Sequence, residues 1–207
     1  MQRANRPRVH RAIAKDSYAL IYPHLLEHFK SLPKSLDISQ LLTALNIVYG
    51  WMPTIARPES SLRVLETDSA KLLKLVKRAR ESQSPNLNVE QLELLIRFAN
   101  NSSVGASKLL HFFNPGVYAI WDSRVAMRFM WATVAEKTYN TSYRLIEYTD
   151  TLWNWSQDDG VSSTLKKLRR LHSHLESLSD MRLLELVLFH PPVRKRKEVS
   201  QSLARRI

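Results

Sequence analysis

Residues 100–129 read NNSSVGASKLLHFFNPGVYAIWDSRVAMRF, and they decide the fold class. Asn100-Asn101-Ser102-Ser103-Val104-Gly105 is a polar turn between two helical patterns. The second pattern runs from Ala106 to about Phe113 and is stopped by Asn114-Pro115-Gly116. Val117-Tyr118-Ala119-Ile120 reads as a short extended piece, and Asp122 or Ser123 opens a further helix to about Thr133. A helix, a short turn, a second helix and a capped third helix place this stretch in an all-α protein.

The flanks agree. Upstream, Ile13, Tyr18, Ile21, Leu25, Leu26 and Phe29 recur at helical spacing from Val9, with a kink or break expected at Pro23. Asp37 caps a helix to about Tyr49, with Leu41, Leu42, Leu45 and Val48 on one face. A long helix covers about 58–82, broken near Asp68, and Asn88 caps the next, to about Phe98. Downstream, helices are expected over 139–155, 161–175 and 180–189, with a turn at Asp158-Asp159-Gly160. The whole is a two-lobed bundle over residues 1–193, with the helix pair at about 89–113, followed by a basic tail, 194–207.

Composition narrows the chemistry. The 207 residues include only four glycines, too few for a turn-rich β fold, and no cysteine. Disulfides, cysteine-ligated zinc, iron–sulfur clusters and thiol nucleophiles are therefore excluded. No apolar run approaches the ~20 residues of a membrane span, and the basic start, Met1 to Arg8, lacks the apolar stretch of a secretory signal. A cytoplasmic protein with no membrane partner is expected. The net charge is +12, with net +4 in residues 1–30 and +7 in residues 166–207. Basic ends on a near-neutral body point to phosphate backbone as partner.

The turn before Ala106 leaves unpaired amides at a helix start, where a phosphate is favoured. Gly105 would let the backbone come close. Ser103, Ser107 and Lys108 would add donors, and Arg124, Arg128 and the tail Arg194-Lys195-Arg196-Lys197 would hold more phosphates. Ser103 to Lys108, followed seventeen residues after Gly105 by Asp122, resembles the helix–hairpin–helix DNA glycosylase superfamily. That resemblance covers about 30 residues. It departs from the family in having Asn101, Ser102 and Ser103 where Leu, Pro and Gly are usual. It implies duplex DNA as partner, with monomeric action favoured. It also implies excision of a damaged or modified base, phage DNA included, without a cofactor or metal, and Asp122 as the catalytic carboxylate. The lysine of the bifunctional branch would fall near Ser107, one residue from Lys108, so a monofunctional reaction is expected. Trp121, Tyr49 and Trp51 are candidate walls for an extruded base. A non-catalytic DNA-binding module is the alternative.

Two other patterns carry chemistry. Arg169 and His174, separated by four intervening residues, resemble the arginine–histidine pair of HEPN-type ribonucleases, which cleave RNA without metal. His24 and His28 could share a helix face, but no third ligand accompanies them, and no metal site is expected. No nucleotide-binding glycine loop or hydrolase elbow occurs.

Overall fold

The computed structural model describes residues 17–52, 57–129 and 141–189. Among these, nine α-helices and one short 3₁₀ turn occur, with no strand. The helices are α1 (Ser17–Ser31), α2 (Ile38–Gly50), α3 (Pro58–Glu81), α4 (Val89–Phe98), α5 (Ser103–Phe113), α6 (Ser123–Arg128), α7 (Ser142–Gln157), α8 (Asp159–Leu171) and α9 (Asp180–Phe189); the 3₁₀ turn is Ser173–Leu175.

Local chemistry sets most of the boundaries. Asp37 and Asn88 each form a capping box. Gln40 N donates to Asp37 Oδ1 (2.8 Å) and Gln91 N to Asn88 Oδ1 (2.9 Å), while each glutamine accepts back from the cap amide. Asp68 leaves helical geometry inside α3 (φ −132°), at the expected break. α1, in contrast, continues through Pro23. The 158–160 segment is not a turn between helices. Asp158 caps α8 by accepting from Val161 N (2.9 Å), and Asp159 and Gly160 already belong to that helix. Nor does α8 reach Leu175. His172 is extended, and the 3₁₀ turn then brings Leu175 onto a small cluster with Leu165 and Leu183.

α5 is the hub. It packs against α1, α2, α3, α4 and α7, and Ser103, Gly105–Ser107 and Leu109–Phe112 are buried. The main core is one continuous cluster from Tyr22 to Met181, with the Leu165 cluster as a satellite. Asn114 ties the end of α5 to the end of α3: its Nδ2 donates to the carbonyls of Ala79 (3.0 Å) and Ser82 (2.9 Å), which the last turn of α3 leaves open.

The turn between α4 and α5 is tight. Asn100 (φ 58°) and Asn101 (φ 54°) are left-handed, which asparagine tolerates better than most residues. Ala99 O accepts from Ser102 N (3.1 Å) and from the Tyr49 hydroxyl (2.8 Å). A Cβ on Gly105 would sit 2.8 Å from Tyr49 Oη and 3.3 Å from Ala99 O. Gly105 thus makes room for a tyrosine, not for a phosphate. Gly105→Ala is expected to destabilise by about 1–3 kcal/mol through overpacking, despite alanine's better helix propensity. Adding Tyr49→Phe, which removes the clashing oxygen, should recover part of the loss in a thermal melt.

Candidate functional site

Residues 117–121 form an apolar loop that is buried throughout, with Trp121 at 0% exposure. A buried loop must satisfy its backbone without a sheet, and three side chains do so here. His111 Nδ1 lies 2.7 Å from Tyr118 O, the Tyr148 hydroxyl donates to Ile120 O (3.0 Å), and Trp121 N donates to Ser107 Oγ (2.9 Å). Ser107 is buried, and its hydroxyl donates in turn to Val104 O (2.9 Å). The loop therefore delivers Asp122 to a fixed place at the start of α6.

Asp122 is half-buried. Its Oδ1 accepts from Arg124 N (2.8 Å), the bond of a helix cap. Its other carboxylate oxygen makes no hydrogen bond or ion pair among the described residues. Its charge is felt by Lys108, Glu185 and Tyr148. Arg124 and Arg128 are exposed on the same short helix, with the Arg124 guanidinium 4.8 Å from the Phe189 ring centre.

Behind Asp122 lies a buried charge cluster. The Lys108 ammonium sits 4.9 Å from the Trp51 ring centre. Burial lowers its pKa, against the pull of Asp122 and Glu185. Arg182 is 8% exposed and its guanidinium lies 4.8 Å from the Tyr22 ring and 5.8 Å from the Trp51 ring. Arg182 pairs with Glu185 one turn along α9, yet its Nε has no partner. Glu185, 2% exposed, is pushed up to about 7: burial raises it most, Asp122 adds to that, and Arg182 and Lys108 oppose. The sequence reading missed Arg182 and Glu185. The available signal was two charges spaced i, i+3 within the apolar run of α9, on the face that carries Met181 and Leu186.

His111 closes the back of the cluster. Since Nδ1 must donate to Tyr118 O, Nε2 is left to accept from the Tyr22 hydroxyl (2.6 Å). The ring is neutral, its pKa lowered to about 3 by burial and by Arg182. Two opposed pH windows follow. The unfolded imidazole gains a proton below its ordinary 6.5 that the folded one refuses, so the His111 contribution is intact above that value and lost as pH falls toward 3. Glu185 acts oppositely: its contribution is full below 4.5 and lost as pH rises through 7. Of these two groups only His111 acts below 4.5, where its loss should lower the melting temperature with acid. Melts across pH should show that fall reduced in His111→Gln and the 4.5–7 component removed in Glu185→Gln.

The expected site residues divide. Asp122, Lys108 and Trp51 come together. Trp121 does not open toward a ligand: it is sealed in the core with its ring 4.9 Å from that of Tyr148. Tyr49 is buried and occupied by Ala99 O. Ser103, Gly105 and Ser107 are also buried, and Gly105 N already donates to Ser102 Oγ (3.1 Å), so these three offer no surface to a phosphate. Arg194, Lys195, Arg196 and Lys197 lie outside the described residues. Arg169 donates to Leu178 O (2.8 Å) and Asp180 Oδ1 (2.5 Å), which fastens α8 to the start of α9. It is engaged in the fold, while His174 stands exposed, 6.0 Å from the His172 ring. This arrangement does not favour the ribonuclease pair.

A second basic surface was not expected. Lys71, Lys74, Arg78 and Arg97 line a groove of about 380 Å³ between α3 and α4, together with Glu90 and with Asp68, which pairs with Lys71 (2.8 Å). No helix among the described residues is long and apolar enough to cross a membrane. Compared with family models, curated proteins and solved structures, the chain matches none.

Proposed function

We propose that the protein is a DNA-binding monofunctional N-glycosylase that excises a damaged or modified base, with Asp122 as its catalytic carboxylate. The observation that carries this reading is the unengaged Asp122 oxygen at the end of a rigid loop, next to exposed Arg124 and Arg128. Breaking an N-glycosidic bond leaves positive charge on the deoxyribose, which a partly desolvated, pre-positioned carboxylate stabilises while water adds to the anomeric carbon. Phosphates flanking the sugar suit Arg124 and Arg128. Trp51, like Trp121 and Tyr49, is buried, with Phe112 and Lys108 against its ring, so none of the three expected aromatics offers an open face to an extruded base. The expected compartment is the cytoplasm, and bases in phage DNA are within the substrate class.

The test is abasic-site formation on duplexes bearing single modified bases, read beside DNA affinity over a salt series. Abasic sites and a steep fall of affinity with salt are expected; tight binding that never yields an abasic site would contradict catalysis. A non-catalytic DNA-binding module is the second reading, favoured by the basic groove between α3 and α4. It requires that charge reversal at Lys74 and Arg78 weaken binding more than reversal at Arg124 and Arg128.

A further inference from the structure

The groove between α3 and α4 lies apart from Asp122. α6, which carries that carboxylate, packs on α9, whereas the groove is cut between α3 and α4. Its volume of about 380 Å³ falls within the range of small-molecule sites, about 300–1,000 Å³. Leu75 and Leu94 form a buried apolar floor, and the four cations around them are exposed.

The charges in the groove are not equivalent. Lys71 is engaged by Asp68 (2.8 Å), and Glu90 and Arg97 also act on it through space. Lys74 and Arg78 sit one helical turn apart on α3. Like Arg97 on α4, they make no hydrogen bond or ion pair among the described residues. Four cations against two carboxylates leave a net charge of +2. A continuous phosphate backbone suits a run of cations with no acid among them, because each carboxylate repels a phosphate. A net +2 suits one compact dianion instead. A phosphate monoester approaches that charge near pH 7, and a phosphodiester does not. No aromatic ring among the described residues lines the groove, so recognition falls to the phosphate rather than to a stacked base.

We propose that the groove between α3 and α4 binds a phosphate monoester, with Lys74, Arg78 and Arg97 as donors to its terminal oxygens and Leu75 and Leu94 beneath its organic body. The inference goes beyond the glycosylase reading and holds whether or not Asp122 is catalytic. Asp68 and Glu90 limit the site to the charge of a single dianion. The monoester comes either from a free nucleoside monophosphate or from the 5′-phosphorylated end of a DNA strand; the group that the cations meet is the same.

The test is a binding titration with the full chain, in two arms. In the first, adenosine 5′-monophosphate is compared with its phosphate methyl ester, which has the same body and one charge fewer. In the second, a short single strand with a 5′-phosphate is compared with the same strand ending in a 5′-hydroxyl. The monoester member of at least one pair should bind about tenfold tighter than its counterpart. Lys74→Glu combined with Arg78→Glu should erase that preference, and because both positions are exposed the melt should hardly move. Glu90→Gln, which removes a repelling carboxylate, should instead tighten the monoester by up to about fivefold. A preference in the first arm identifies a free ligand, and one in the second arm alone identifies a strand end; either supports the site. Equal binding within both pairs, or none, would overturn it. So would a preference that survives the double charge reversal, or weaker monoester binding in Glu90→Gln.

Discussion

Replacing Asp122 by asparagine is expected to lower abasic-site formation by about 10²–10⁴-fold, the range for loss of a positioned acid–base group, while the protein stays folded and bound to DNA. Asparagine is among the best cap residues, so the bond to Arg124 N survives and stability should change by no more than about 0.5 kcal/mol. Charge is what the substitution removes. The carboxylate no longer opposes the sugar cation, and the buried groups behind it respond. Glu185, raised in part by Asp122, should titrate lower, and Lys108, which Asp122 helps to hold protonated, should lose its proton more readily. Asp122→Ala would confuse this result by removing the cap as well. If Asp122→Asn retained full excision, Asp122 would be a cap and nothing more.

Trp121→Ala is expected to be the most destabilising single change near the site. The indole is fully buried against Tyr148, and truncation there leaves a cavity costing about 3–5 kcal/mol. At about 2–4 °C per kcal/mol for a chain of this size, the melting temperature should drop by roughly 10 °C. The loop backbone would lose its packing at the point where Trp121 N meets Ser107, so Asp122 would be less well aimed. Trp121→Phe separates packing from base stacking. It should retain most of the DNA affinity and a good part of the activity at low temperature, with a clear loss in the melt. A wall for the base would give the opposite pattern, an intact melt with lost excision.

The features legible in the sequence were local ones. Asp37 and Asn88 announced their helices because a cap needs only the next few residues, and α9 was bounded correctly by Asp180 and Phe189. The break at Asp68 was equally local. Position 122 was visible for the same reason, since an aspartate after an apolar segment and before a helix can both cap and react. What the sequence concealed depends on which neighbour covers which face. α5 was expected to present its first turn to DNA, but packing on five helices buries Ser103, Gly105 and Ser107. His111 and Ser107 turned out to serve the backbone of a distant loop, a need invisible until the loop is seen to be buried. Arg182 and Glu185 read as ordinary charges on a last helix until α9 is placed against α6 and α7.

The decisive measurement compares duplexes carrying a pyrrolidine at the target position, a positively charged mimic of the sugar cation, with duplexes carrying its neutral tetrahydrofuran counterpart. A carboxylate poised at the anomeric carbon binds the charged mimic more tightly, by about 10²-fold or more, as transition-state resemblance requires. That preference should collapse in Asp122→Asn. Equal affinity for the two duplexes, or a preference indifferent to residue 122, would mean that Asp122 never meets a deoxyribose.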